Sequence, residues 1–172
     1  AVGPGIVSAI AGFNSSFLIL TRDRFGNERS SGGDNRWSVA INATMTLRPS
    51  FTYAVTEDVY DGSYRAWYVV TAAGRYAVDI ECRNTLTFDS PYSLVVTAGP
   101  SGISSYPFSD NFGVEEAGAQ IEFFVQARDD YDNIVTQAGD YYLVKLTLPN
   151  VTTITANTTD MAHECRMNKT VH

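Results

Sequence analysis

The sequence predicts an all-β chain of antiparallel sandwiches in tandem. Three observations predict it: short strands with period-two apolar alternation, turn residues roughly every ten positions, and a long internal repeat. The alternation runs through the first hundred positions or so. Phe17 and Ile19 face a core from the segment Ser15 to Thr21. Trp37, Val39 and Ile41 alternate with Arg36, Ser38 and Ala40, and Phe51, Tyr53 and Val55 follow at the same spacing. Tyr64, Ala66, Tyr68 and Val70 make the next stripe, then Tyr76, Val78, Ile80 and Cys82, and Tyr92, Leu94 and Val96 close the set. Successive strand residues point to opposite faces, so each stripe marks one buried side.

Turn chemistry separates these segments: Phe25-Gly26-Asn27, Ser31-Gly32-Gly33-Asp34, Asp61-Gly62 and Ala73-Gly74. Gly, Asn and Asp tolerate the backbone angles that reverse a chain. No segment carries a sustained apolar stripe at helical spacing, so helices are expected to be scarce, with at most a short turn around Val114 to Ala117.

The repeat has one ungapped register. Ala11-Gly12 recurs as Ala117-Gly118, an offset of 106 (117 minus 11). At that offset Phe17 matches Phe123, Arg22-Asp23 matches Arg128-Asp129, Asn27 matches Asn133, and Gly33-Asp34 matches Gly139-Asp140. A period of this length means tandem domains, here 1–98 and 99–172, rather than a solenoid of short units. In the second copy Ile121, Phe123, Val125 and Ala127 take the inward face, while Glu122 and Gln126 point out. Gly26 becomes Asp132, and the stripe of Tyr142, Val144 and Leu146 looks slipped by one against Trp37, Val39 and Ile41, as a β-bulge would cause.

The ordered series Ala11-Gly12, Leu18 to Arg22-Asp23, Phe25-Gly26-Asn27 and Gly32-Gly33-Asp34 resembles the front half of a filamin (filamin/ABP280) repeat. Asp58, Asp61-Gly62-Ser63-Tyr64, Tyr68, Thr71, Ala73-Gly74, Tyr76 and Ser90-Pro91-Tyr92 resemble its back half. The resemblance implies a seven-stranded immunoglobulin-like sandwich over nearly all of 1–98. The second copy resembles only the front half: where Asp61-Gly62-Ser63-Tyr64 should recur stands Met167-Asn168-Lys169-Thr170. Half a sandwich leaves a sheet face uncovered, so the remaining strands are expected from an insertion or from residues beyond this segment. The resemblance also implies a peptide site on the edge of the third and fourth strands, involving Trp37, Val39, Ile41, Phe51 and Tyr53. An extended partner would add there by β-augmentation.

Composition narrows the partners. Twelve basic against nineteen acidic residues give a net charge of −7, and nucleic-acid binding needs the clustered Lys and Arg that this chain lacks. No apolar run reaches the roughly 18 residues of a membrane helix, and the segment from Val2 to Ala11, broken by Gly and Pro, reads as neither signal nor anchor. Without an initiator Met, the chain is expected to be an internal piece of a longer protein.

Catalytic parts are scarce. Both histidines, His163 and His172, fall in the weakly patterned tail, so no Ser or Cys has an evident base, and no catalytic residue is assigned. The two-residue spacing of His163 and Cys165 is too little for a metal site. Asp129-Asp130-Tyr131-Asp132-Asn133 has the oxygen density of a calcium loop but lacks its glycine and distal glutamate, so it reads as a turn. No metal or cofactor is expected.

Five glycosylation sequons occur, at Asn14, Asn42, Asn150, Asn157 and Asn168. Asn14 precedes a strand and Asn42 has the outward parity beside inward Ile41, so solvent-facing attachment is expected. Trp67 has outward parity too. Cys82 extends an inward stripe, and strand order places it far from Cys165, against a bridge between them. Together these features point to a non-enzymatic structural or adhesive module of an extracellular or cell-surface filament or coat. Its partners would be other domains or subunits and an extended peptide. The alternative is an intracellular, unglycosylated filamin-like scaffold of the cytoskeleton.

Overall fold

The computed structural model describes residues 1–33, 36–108, 120–121, 123–137, 139–148, 151–157, 159–161, 164–166 and 169–170; for 120–121 and from 143 onward it describes backbone alone. The chain divides into two units after Gly99. The expected turn at Val114 to Ala117 lies outside the described residues.

The first unit is an immunoglobulin-like sandwich of nine strands. They are β1 (Ser8–Ile10), β2 (Ser15–Leu20), β3 (Trp37–Thr46), β4 (Phe51–Tyr53), β5 (Val55–Asp58), β6 (Ser63–Tyr68), β7 (Gly74–Cys82), β8 (Thr85–Leu86) and β9 (Tyr92–Thr97). The larger sheet has the order β1-β9-β7-β3-β4, with β8 on the end of β7; the smaller has the order β2-β6-β5. All neighbours are antiparallel except β1 and β9, which run parallel. The N-terminal segment serves both sheets. Val2 bridges Leu18 of β2, a 3-10 turn at Pro4–Ile6 redirects the chain, and β1 then joins β9.

The core lies between the sheets, and the alternating stripes fill it, apart from Phe51, Tyr53 and Val55, which are exposed where the chain crosses from one sheet to the other. Phe17, Ile19, Val39, Ile41, Tyr64, Ala66, Tyr68, Tyr76, Val78, Ile80, Leu94 and Val96 are all buried. Truncating one of the aliphatic members, such as Ile41→Ala, costs about 2–5 kcal/mol because both transfer energy and packing are lost. Two buried tyrosines keep their hydroxyls satisfied. Tyr68 Oη donates to Gly5 O at 2.6 Å, and Tyr76 Oη donates to Ala72 O at 2.7 Å, the tyrosine corner that pins the turn before β7.

Two glycines are dictated by their positions. Gly62 (φ +91°) lies so close to the Arg29 carbonyl that a Cβ would collide with it, which explains the Asp61-Gly62 turn. Gly26 (φ +87°) meets nothing nearby, so its backbone angle alone selects glycine.

In the second unit the strands are β10 (Tyr106–Phe108), β11 (Gln120–Ile121), β12 (Phe124–Gln126), β13 (Leu143–Leu148), β14 (Val151–Asn157), β15 (Thr159–Met161), β16 (Glu164–Arg166) and β17 (Lys169–Thr170). They pair antiparallel as β10 with β12, β11 with β17, β13 with β14 and β15 with β16. Phe123 and Val125 are buried as their parity requires, and Ala127 is half-buried. β13 starts 106 residues after β3 (143 minus 37), and its pairing shifts register between Leu146 and Leu148.

Candidate contact edge and modification sites

Within the larger sheet β3 is an inner strand. It pairs with β7 from Trp37 to Thr46 on one side and with β4 at Ala40, Ile41 and Asn42 on the other. The five residues assigned to partner-strand binding therefore divide. Val39 and Ile41 are core side chains at 0% exposure, and Trp37 is half-buried with its ring 5.5 Å from that of Tyr64. Phe51 and Tyr53 are exposed and pack edge-to-face at 4.9 Å on β4, which ends the sheet among the described residues.

The register shows which backbone groups β4 leaves open. Ala43 N donates to Ser50 O and Ala54 N to Val39 O, both at 2.9 Å. Asn42–Phe51 and Ala40–Tyr53 are therefore non-hydrogen-bonded pairs, and Ile41–Thr52 is the hydrogen-bonded one. The N–H and C=O groups of Phe51 and Tyr53 consequently point away from β3, along the open edge. Only a long 3.4 Å contact from Thr52 Oγ1 reaches the Tyr53 carbonyl. An extended chain laid here would find alternate donors and acceptors with aromatic rings beside them.

The sequons differ in accessibility. Asn14 is exposed, just ahead of β2. Asn42 is half-buried on the outer face of the larger sheet, where its Nδ2 donates to Asp79 Oδ2 at 2.9 Å. Asn150 and Asn168 lie outside the described residues; Asn157 ends β14, with its side chain outside them. Trp67 lies on the outer face of the smaller sheet at 39% exposure.

The carboxylate-rich turn at Asp129 is internally satisfied. Asp129 Oδ1 accepts from Tyr131 N and Asn133 N, and Oδ2 accepts from Asn133 Nδ2, all between 2.8 and 2.9 Å. Among the described residues no cluster of His, Cys, Asp or Glu is arranged to hold a metal. Cys82 is a free, half-buried thiol rather than a fully buried one; it sits at the end of β7 and leaves the core stripe there. The side chain of Cys165 lies outside the described residues.

One feature of the first unit has no signal in the linear pattern. A cleft of about 790 Å³ opens at one end of the sandwich, lined among others by Arg22, Arg29, Trp37, Cys82, Arg83 and Phe88. Arg22 and Arg29 come from the β2–β3 connection and Arg83 from the β7–β8 turn, so no run of basic residues announces it. Arg22 is held by Glu28 at 2.7 Å and by Gly26 O at 2.8 Å. Among the described residues the buried Trp37 Nε1–H has no acceptor. The lining sets three arginines beside one carboxylate, Asp89.

Titration follows the same geometry. Burial pushes the Tyr68 phenol up to about 12, and Tyr76 shifts upward for the same reason. Asp23 is held below the usual carboxylate range, first by the hydrogen bond from the Asn27 side chain.

Two facing sheets over one core define an immunoglobulin-like sandwich. The filamin/ABP280 repeat profile matches residues 1–93, and the chain belongs to that family, whose repeat is a non-catalytic domain. Mouse E3 ubiquitin-protein ligase TRIM71 is 29% identical over 120 residues, covering 69% of this chain and 13% of that protein. The rat protein of the same name is 30% identical over 103 residues, covering 59% and 11%. The chain thus spans only a small fraction of the curated relatives it matches. Among solved structures, the Escherichia coli adhesin FdeC aligns with a TM-score of 0.60 at 20% identity, over 95% of this chain and 53% of that one. Invasin, a bacterial integrin-binding protein, aligns with a TM-score of 0.56 at 15% identity, over 93% and 31%. At those identities the likeness is one of fold.

Proposed function

We propose that this chain is a non-enzymatic structural and adhesive module of a larger extracellular or cell-surface filament or coat protein, working through domain–domain and edge-strand contacts. The observation that carries this reading is the β4 edge, where the backbone of Phe51 and Tyr53 is open and both rings are exposed. Such an edge is a template for another strand, and natural sheets blunt it with very short strands, charge or proline; β4 is three residues long. Read as Phe51-Thr52-Tyr53, it has neither charge nor proline. Its partners are other domains or subunits of the assembly, and an extended peptide is the natural occupant of the edge. No step in this work needs a cofactor, a nucleic acid or a membrane-inserted segment.

The surface setting draws support from the exposed Asn14 sequon and the outward placement of Asn42. A second reading, an intracellular filamin-like scaffold that binds peptides by β-augmentation, is favoured by the same open edge together with family membership. Glycopeptide mass spectrometry on native material separates them. Sugar on Asn14 or Asn42 excludes the cytosolic setting, whereas unmodified asparagine at all five sequons overturns the surface setting.

A further inference from the structure

Two aromatic rings on the outer faces of the first unit contribute little to its core, and each stands beside a sequon. Phe51 is 55% exposed and Trp67 39%. On the larger sheet Phe51 lies directly opposite Asn42. In a non-hydrogen-bonded pair of this kind the Cα atoms are closest, about 4.5 Å apart, so the two side chains leave the sheet side by side. On the smaller sheet Ser16 lies opposite Trp67. Exposed Asn14 lies just ahead of β2, next to the last pair of the ladder, Ser15–Tyr68. Trp67 thus stands one residue pair inside the end of the ladder that Asn14 leads into.

The Asn42 amide is also oriented. Its hydrogen bond runs to Asp79 on β7, which flanks β3 on the side away from β4. The amide nitrogen carries two hydrogens. In N-glycosylation that nitrogen bonds the anomeric carbon of the sugar, one hydrogen leaves as a proton, and a polyprenyl pyrophosphate departs as the leaving group. The second hydrogen stays; kept on Asp79, it turns the sugar away from β7, toward Phe51.

We infer that Phe51 and Trp67 are docking platforms for the first N-acetylglucosamine of glycans on Asn42 and Asn14. The axial C–H bonds of a β-linked pyranose carry partial positive charge, and the face of an aromatic ring is negative. Stacking also withdraws apolar surface of both partners from water. The inference rests on the glycoprotein reading and extends it. A sugar seated on Phe51 covers the outer face that the side chains of a strand added to β4 would occupy. Glycan at Asn42 and an added strand are therefore alternatives at one place.

The test uses the full chain secreted from a eukaryotic host and trimmed to a single N-acetylglucosamine per occupied asparagine, beside the sugar-free chain made in bacteria. Phe51→Ala and Trp67→Ala are expected to lower the melting midpoint by roughly 2–5 °C more in the sugar-bearing form than in the bare form. Phe51→Tyr and Trp67→Phe are expected to keep the wild-type difference, and the N-acetyl protons on Asn14 to resonate upfield over the indole. Equal losses in both forms with unshifted N-acetyl protons would overturn the platforms while leaving the glycoprotein reading intact. Bare Asn14 and Asn42 in the secreted chain would overturn both.

Discussion

Asp23 and Asp129 do one job in two places. Each accepts at Oδ1 from the backbone two and four residues on, and at Oδ2 from the asparagine four residues on. The preceding arginine closes the turn in both copies, reaching Gly26 O at 2.8 Å in one and Asp132 O at 2.8 Å in the other. The offset of 106 is therefore a repeat of hydrogen bonds as well as of letters. It also explains the departure at Asp132, whose φ of 66° matches the left-handed geometry of Gly26 at 87°; aspartate is among the few residues that accept it.

The environments differ, because Asp129 is 2% exposed and Asp23 is exposed. Asp129→Ala is accordingly expected to cost about 1–3 kcal/mol, since it leaves buried donors without an acceptor. Asp23→Ala should cost less, and thermal melts of the two variants check the order. Tyr68 makes a second prediction at this scale. Its folded pKa of about 12 stands above the unfolded 10. The neutral phenol is the form the core stabilises, so the contribution is complete below pH 10 and is lost as pH climbs toward 12. Denaturant titrations across that window should show a fall of about 2 kcal/mol from Tyr68, so the total fall should be smaller in Tyr68→Phe, with the upward-shifted Tyr76 supplying the remainder.

At the scale of the element, β4 makes the sharpest distinction between neighbouring positions. Thr52 N faces β3, whereas Phe51 N and Tyr53 N face the open edge. Proline removes an N–H donor, and it is tolerated on an edge strand only where that N–H faces outward. Thr52→Pro should therefore destabilise the unit by about 3 kcal/mol or more. Tyr53→Pro should leave the midpoint nearly unchanged while blocking strand addition, read as lost binding of an extended peptide. Period-two alternation says that Phe51, Tyr53 and Val55 share a side but not which side. Deciding it requires knowing that the chain leaves the larger sheet at Ala54 and enters the smaller one at Val55. The stripes of β2, β3, β6, β7 and β9 were legible because both neighbours of each face are filled, so apolar residues have one place to go. The cleft was not, because its residues converge from turns and only the fold brings them together.

For the whole molecule, the first unit owns its core: every buried residue in that cluster lies between Ile6 and Val96. A chain ending at Gly99 should therefore melt at the same midpoint as the corresponding transition of the full chain, which calorimetry would show. The repeat predicts a tandem arrangement, but it carries no signal for the back half of the second copy. Met167-Asn168-Lys169-Thr170 shares no letters with Asp61-Gly62-Ser63-Tyr64, yet β17 stands 106 residues after the start of β6 (169 minus 63) and pairs antiparallel with β11.

The parallel union of β1 and β9 sets how this unit answers a pull. Tension applied between Ala1 and Gly99 draws the two strands in opposite directions along their common axis. Bonds such as Val95 N to Val7 O (3.0 Å) and Ala11 N to Thr97 O (2.8 Å) are then sheared together rather than unzipped singly. Stretching one molecule between its ends should give a single abrupt rupture, and Val95→Pro, which deletes one of those donors, should lower the rupture force. A unit clasped in this way transmits tension along its length instead of paying out chain.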